Sequence, residues 1–391
     1  MDFRMLDENW RADVMALWDY CFEKKEDSFF QWYFSHYCQM SQVIGAVQND
    51  RLLAMAHLNP YKIALRGKTI QTDYFVGVAT SPEARGKGLF LPLLQHALGV
   101  LREQGRGLTL LMPSAAAFYR PYGFAYCYHQ WKIQCQLSEL APLTSGKASL
   151  SWKKGSVDDW QAFSQVYGKA MEYRHAYVCR SEINWLSMLE ALFAEGGYAF
   201  FAVNPAGEPV AYVCFEIQAD TLQVVECLAC DLPAQRACLA FLHQHRSQAG
   251  QVVFGLPVDD LLYEQIPNSS YSISLNPFMM GRIVDVHQAL KQCLPENADP
   301  GINFTLAVSD TVAPWNDGCW RVSYDAGLTI EKVQAKMPEA KITIAALAQL
   351  CFGRFNTTQL AAKGEIEGCP ETLRLLDRLL PVCCNYINEY Y

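Results

Sequence analysis

The stretch DYFVGVATSPEARGKGLFLPLLQHALGVLREQGRGLTLLMPSAAAFYRPYGF, Asp73 to Phe124, decides the fold. An apolar run, Tyr74–Ala79, leads into a turn at Pro82. Arg85-Gly86-Lys87-Gly88 then opens an apolar segment of helix length, and a second apolar run, Leu108–Met112, follows. Ser114 and the aromatic cluster Phe118-Tyr119-Arg120-Pro121-Tyr122-Gly123-Phe124 close it. Strand, glycine-rich turn, helix, strand is an arrangement that holds phosphate. The first turn of a helix presents N–H groups without acceptors and a partial positive charge, and glycine lets a pyrophosphate approach the backbone. With the helix starting near Gly86, Pro92 removes one internal hydrogen bond and kinks the first turns.

On the N-terminal side, Asn9–Cys21 and Asp27–Met40 read as helices separated by the charged break Glu23-Lys24-Lys25-Glu26-Asp27. Val43–Gln48 and Leu52–Leu58 read as strands joined by a hairpin turn at Asn49-Asp50. Pro60 and Arg66-Gly67 then delimit a further short hairpin. On the C-terminal side, Tyr126–Leu137 reads as the strand that closes a first unit near residue 140, with a linker at Pro142, Ser145 and Gly146. From Ser149 the same order of helices, hairpin, long strand, helix and strand returns. Its pivotal turn is Asp231-Leu232-Pro233-Ala234, with no glycine, so the repeat is read as a fold duplicate that does not bind the cofactor. A third unit starts near Pro277 with Gly281-Arg282-Ile283-Val284-Asp285-Val286 and ends on the aromatic Tyr386-Ile387-Asn388-Glu389-Tyr390-Tyr391. An apolar terminus of this kind is expected to be packed.

Composition narrows the class. A chain of 391 residues that is 51% hydrophobic builds two or three cores without cross-links. The net charge of −8, without a basic block, argues against a nucleic-acid partner. Neither a secretory signal nor a run long enough to span a membrane is read. The 15 cysteines, odd in number and mostly in apolar contexts, suit free thiols in a reducing cytoplasm. Cys227-x-x-Cys230 lacks two further convergent ligands, so no metal site is expected.

Val78-Ala79-Thr80-Ser81-Pro82-Glu83-Ala84-Arg85-Gly86-Lys87-Gly88-Leu89, Phe118-Tyr119 with Tyr122-Gly123-Phe124, Gly281–Val286 and the closing Tyr386–Tyr391 together resemble one family. It is the enhanced intracellular survival (Eis) family of GCN5-related N-acetyltransferases (GNAT). The resemblance implies mixed α/β sheets: two tandem GNAT domains, at 1–145 and 146–278, and an α+β domain like sterol carrier protein 2 at 279–391. It also implies acetyl-CoA as co-substrate, a primary amine as acceptor, and a homo-oligomer, trimer or hexamer. The general turn is R/Q-x-x-G-x-G/A. Arg85 and Gly88 fit it, and Phe90 replaces the last small residue, as the Eis-like branch tolerates.

Residue by residue, the resemblance gives the cofactor to Val78, Ala79, Thr80, Arg85, Gly86, Lys87, Gly88, Leu89, Phe90, Leu91 and Ser114. The backbone of Val78 and Thr80 would pair with the pantetheine arm, and the N–H groups from Gly86 to Leu91 would hold the pyrophosphate. Tyr119 matches the family's general acid, with Tyr122 as the local competitor. A phenol of pKa near 10 is protonated at neutral pH and can donate to the leaving thiolate. The C-terminal carboxylate of Tyr391 matches the family's general base, acting directly, through water, or by orienting a cationic amine. Glu389 is displaced by one position from the family's acidic residue. Glu23, Glu26 and Asp27 are candidates for the rim of the acceptor pocket. Aminoglycosides, polyamines, peptide lysines and N-termini all satisfy this chemistry. The alternative is an apolar-ligand carrier built on the third unit.

Overall fold

The structure, a computed structural model, describes residues 1–265, 271–325 and 327–390. Three sheets organise these residues. The first contains β1 (Asp2–Met5), β2 (Val43–Gln48), β3 (Arg51–Leu65), β4 (Lys68–Thr80), β5 (Leu108–Leu111) and β6 (Ala125–Tyr126). These strands lie side by side in chain order, except that Met280–Ile283 inserts between β5 and β6. Helices α1 (Arg11–Cys21), α2 (Ser28–Trp32), α3 (Phe90–Glu103) and α4 (Ala116–Tyr119) accompany them. Asn49 and Asp50 both have positive φ, at 51° and 53°, as a two-residue hairpin turn requires.

Two local expectations are corrected. Pro60 does not end a strand. Its partner is Asp73 on β4, and the last β3 residue paired with β2 is His57, so the missing N–H falls where β3 has lost that neighbour. Nor does Pro92 kink a helix. Because α3 starts at Phe90, Pro92 is its third residue, where the N–H has no intrahelical acceptor. The helix buries Leu93, Leu94, Ala97, Leu98 and Leu101 along one face. The strand Asp2–Met5, which was not anticipated, pairs with β2 at the edge of the sheet.

The second sheet holds β7 (His129–Gln136), between Ser272–Pro277 and Gln251–Leu256, and continues through Thr221–Ala229, Pro209–Gln218, Tyr198–Val203 and Ser151–Lys154. The first two units therefore exchange strands. The strand read at 126–137 leaves the first sheet after β6, and Met280–Ile283, read as the start of the third unit, enters it. The chains cross at Cys127–Tyr128 and Phe278–Met279. There the N–H groups of Cys127 and Tyr128 donate to the Met279 carbonyl at 3.0 and 3.1 Å. Divisions at 145 and 279 thus do not coincide with the sheets.

The third sheet runs Leu328–Val333, Gly318–Tyr324, Ile302–Ser309, Ala340–Thr343, Ile366–Gly368. Its buried residues form one continuous core with those of the first sheet, through Met280, Ile283, Ile344 and Phe352. No described helix is long and apolar enough to cross a membrane.

Candidate functional site

The first sheet opens where the turn begins. β4 and β5 pair in parallel over Asp73–Phe75 and Thr109–Leu111, after which β4 continues alone on that side to Thr80. A bulge on β4, where two residues, Gly77 and Val78, face the single Ala56 of β3, bends the strand at Gly77, which has φ of 58°. A Cβ there would come within 2.4 Å of the Trp18 ring, so only glycine fits. The resulting wedge leaves the β5-side backbone of Val76–Thr80 without a strand partner among the described residues.

Gly86 and Gly88 have φ of 75° and 70°, a conformation that costs glycine little. The N–H groups of Gly86, Gly88 and Leu89 have no backbone acceptor among the described residues. No side chain caps the N-terminus of α3. An anion at this helix start thus meets free donors and the positive end of the dipole. Wedge and turn together fit the pantetheine and pyrophosphate of a coenzyme A thioester. Arg85 is committed elsewhere: its Nε donates to the Thr80 carbonyl at 3.2 Å, and its guanidinium lies over the Tyr20 ring. Exposed Lys87 is the flexible cation beside the turn.

Tyr119 is the last residue of α4 and is buried, with 7% of its surface exposed. Phe90, Phe118 and Phe124 meet its ring edge-on, with centroids at 5.7, 5.0 and 6.0 Å. The bulky residue that departs from the general turn motif is thus part of the packing around Tyr119. Burial raises the Tyr119 pKa above the ordinary phenol value, and its hydrogen bond with Ser114 only partly offsets this. The hydroxyl keeps its proton at neutral pH. Tyr122 also packs on Phe90, with ring centroids 4.8 Å apart.

The end of the chain is a strap across all three units. Tyr386 N–H donates to the His175 carbonyl, and Asn385 Nδ2 donates to the Cys127 carbonyl. Asn388 Nδ2 donates to the Val225 carbonyl at 2.9 Å. That bond lies in the second sheet's own wedge, where Thr221–Ala229 and Gln251–Leu256 pair only as far as Gln223 and Val253. The helix start there is closed by its own acid, since Asp231 Oδ1 accepts from Ala234 N–H at 2.7 Å. The strap reaches the first sheet where the Tyr74 hydroxyl donates to the Tyr390 carbonyl at 3.2 Å. Tyr391 lies outside the described residues.

A cavity of about 490 Å³ lies between the N-terminal helices, the helix Glu182–Ala194 and this strap. Phe29, Trp32, Tyr37 and Tyr61 give it an aromatic side. Glu23, Glu195, Glu216 and Glu389 give it four carboxylates, and Arg180 is the one basic residue among its described lining. Among the described residues, Glu23, Glu195 and Glu216 accept hydrogen bonds from neutral donors, Trp18, Ser28 and Gln218. Glu389 is different, because Arg180 Nε donates to it at 2.7 Å. Arg180 also grips Glu226 with both remaining nitrogens, at 2.7 and 2.9 Å. Burial pushes the Glu226 carboxyl up, but Arg180 and the hydroxyls of Tyr212 and Tyr386 outweigh it and hold it below its usual value.

Of the expected rim residues, only Glu23 lines the cavity. Asp27 turns back to accept from the Lys24 N–H, and Glu26 faces Lys25. The sequence reading missed Arg180, Glu195, Glu216 and Glu226, all in the unit read as an inert duplicate. Each is an isolated charge without a motif, so local pattern carries no signal for it. Among the described residues no group of three or more His, Cys, Asp or Glu is placed to hold a metal, and all 15 cysteines are free.

Comparisons with known proteins fit this geometry. Residues 2–127 and 176–283 each match a family model described as an acetyltransferase (GNAT) domain, and 286–387 match a sterol carrier protein domain. An uncharacterized N-acetyltransferase of Streptomyces coelicolor is 22% identical over 318 residues, covering 74% of this chain and 73% of the relative. The crystal structure of a probable N-acyltransferase from Enterococcus faecalis superposes with a TM-score of 0.86 at 21% identity, covering 100% of this chain and 99% of the other. Eis1 from Mycobacterium abscessus superposes with a TM-score of 0.76 at 18% identity, covering 100% of both chains. GNAT acetyltransferases use acetyl-CoA, the thioester that wedge and turn fit. The chain is an N-acetyltransferase that carries two GNAT domains and a sterol carrier protein domain in an Eis-like fold.

Proposed function

We propose that the protein transfers the acetyl group of acetyl-CoA to a primary amine on a cationic acceptor, with Tyr119 as general acid. The observation that carries this reading is the acidic, aromatic cavity bordered by the strap, whose Tyr390 lines the cavity and accepts a hydrogen bond from the hydroxyl of Tyr74 on β4, just before the wedge opens. Carboxylates and aromatic faces attract ammonium groups, and the wedge holds the thioester.

The neutral amine attacks the thioester carbonyl carbon, the C–S bond breaks, and the Tyr119 hydroxyl gives its proton to the departing sulfur. The products are an amide and CoA thiol. The proton lost by the amine goes to a base, which we assign to the carboxylate of Tyr391, one residue beyond Tyr390. Glu389 is not the base in this reading, because Arg180 already holds it. The acceptor class extends to polyamines, aminoglycosides and lysine side chains.

The test is thiol release from acetyl-CoA with a panel of these amines and neutral alcohols. Polyamines or aminoglycosides should turn over and alcohols should not. Tyr119→Phe should lower kcat by about 10²- to 10⁴-fold, and one residue added after Tyr391 should lower it without weakening acetyl-CoA binding. Unchanged turnover in both variants would remove this mechanism.

A further inference from the structure

The segment Gly281–Val286 reads as the start of the third unit, and the second GNAT match runs through residue 283, yet the strand within it lies inside the first sheet. Arg282 has no exposed surface. Its Nε donates to the Tyr122 carbonyl at 2.7 Å, its Nη1 to the Ile283 carbonyl, and its Nη2 to both oxygens of Asp310 at 2.8 and 3.0 Å. Asp310 is in turn fixed by the N–H groups of Val312 and Ala313 and by Asn316 Nδ2. Tyr122 ends the helical turn that begins at Ala116 and carries Tyr119. Beyond the aromatic packing around Tyr119, the segment is a short α turn followed by a 3-10 turn, neither with a side-chain cap, and Ala117, Phe118, Arg120 and Pro121 are exposed. Its last carbonyls have no helical partner, and a cation at that end satisfies one of them and opposes the negative end of the dipole. Gly123 completes the fit with φ of 84°, and a Cβ there would meet Ile344 at 2.7 Å and Arg282 at 3.3 Å. The same segment reaches the cofactor helix, because Arg102 in the last turn of α3 donates to Asp285 at 2.9 Å.

We propose that Arg282, locked by Asp310, is a positioning residue for the acid step. It fixes the turn that carries Tyr119, and the sterol-carrier-like unit thereby serves catalysis as the anchor of that turn. This rests on Tyr119 being the acid. A displacement of about 1 Å at a reacting group costs about 100-fold in rate, so a clamp at the end of this short helical segment controls kcat without touching either substrate.

The experiment combines peptide-resolved hydrogen exchange with a double-mutant cycle. Arg282→Lys and the near-isosteric Asp310→Asn are made alone and with Tyr119→Phe. They are assayed with acetyl-CoA and spermidine, or with kanamycin if spermidine is not turned over. Melting temperature selects the variant that stays folded. The expected results are faster exchange confined to 115–124, and kcat lower by about 10- to 100-fold at an unchanged KM for acetyl-CoA. No further loss is expected once Tyr119 is phenylalanine. Unchanged exchange in 115–124, or losses that multiply with Tyr119→Phe, would overturn the assignment. Full activity in Tyr119→Phe alone would overturn the reading of Tyr119, and the exchange result would then decide whether Arg282 holds the turn.

Discussion

Gly77 shows how a single residue sets the shape of the cofactor wedge. Its positive φ bends β4 where the strand leaves β5, and Trp18 fills the space a side chain would need. Gly77→Ala should cost roughly 1–3 kcal/mol from backbone strain and also weaken acetyl-CoA binding. Chemical denaturation together with CoA titration would check both effects, and loss of stability with full CoA affinity would argue that the bulge does not shape the wedge. Arg180 is the counterpart on the acceptor side. Replacing it by methionine leaves Glu226 buried without its cation, which should cost about 3–5 kcal/mol in an unfolding experiment. At this scale the sequence was legible where chemistry is local. Gly86, Gly88 and Tyr119 sit in one continuous run, and Phe90 at the start of α3 packs on the Tyr119 ring. Arg180, Glu226 and Arg282 owe their roles to partners 28 to 209 residues away, which no local pattern reports.

Among the elements, the strap links the sites and has a pH-sensitive joint. His175 Nε2 accepts the Arg66 N–H at 2.8 Å, and Nδ1 lies 2.7 Å from the side-chain Oδ1 of Asn385. Burial lowers the pKa of His175 to about 4. The unfolded chain, with an ordinary histidine, therefore takes up the proton first as pH falls. The stabilisation is complete above the ordinary value near 6.5 and is lost progressively as pH drops from there toward 4. Buried His57, lowered to about 3, acts in the same direction. Melting temperature should fall between pH 7.5 and 5, and His175→Gln should lessen that fall. An equal fall in the variant would contradict the role given to this joint. The strand exchange of β7 and Met280–Ile283 was not legible for a related reason. Alternation identifies a strand but not the sheet it joins, and here the neighbours are chosen by the crossing at Cys127–Tyr128 and Phe278–Met279.

Across the whole molecule, the exchanged strands and the core shared between the first and third units make a catalytic domain that is not autonomous. A chain ending at residue 278 lacks the strand between β5 and β6, so it should be insoluble or molten, as near-ultraviolet circular dichroism would detect. If the acceptor is the cationic amine proposed, a net charge of −8 with four carboxylates around the cavity makes its capture electrostatic. Raising ionic strength should raise KM for a polyamine several-fold while leaving kcat nearly unchanged. A salt-independent KM would mean that the cavity carboxylates do not recruit the substrate. Single-turnover acetyl transfer from a preformed acetyl-CoA complex, in wild type and in Tyr119→Phe, tests the central claim most directly. Equal acetyl-CoA affinity with a rate reduced by about 10²- to 10⁴-fold is the predicted result; an equal rate in the two proteins would contradict it.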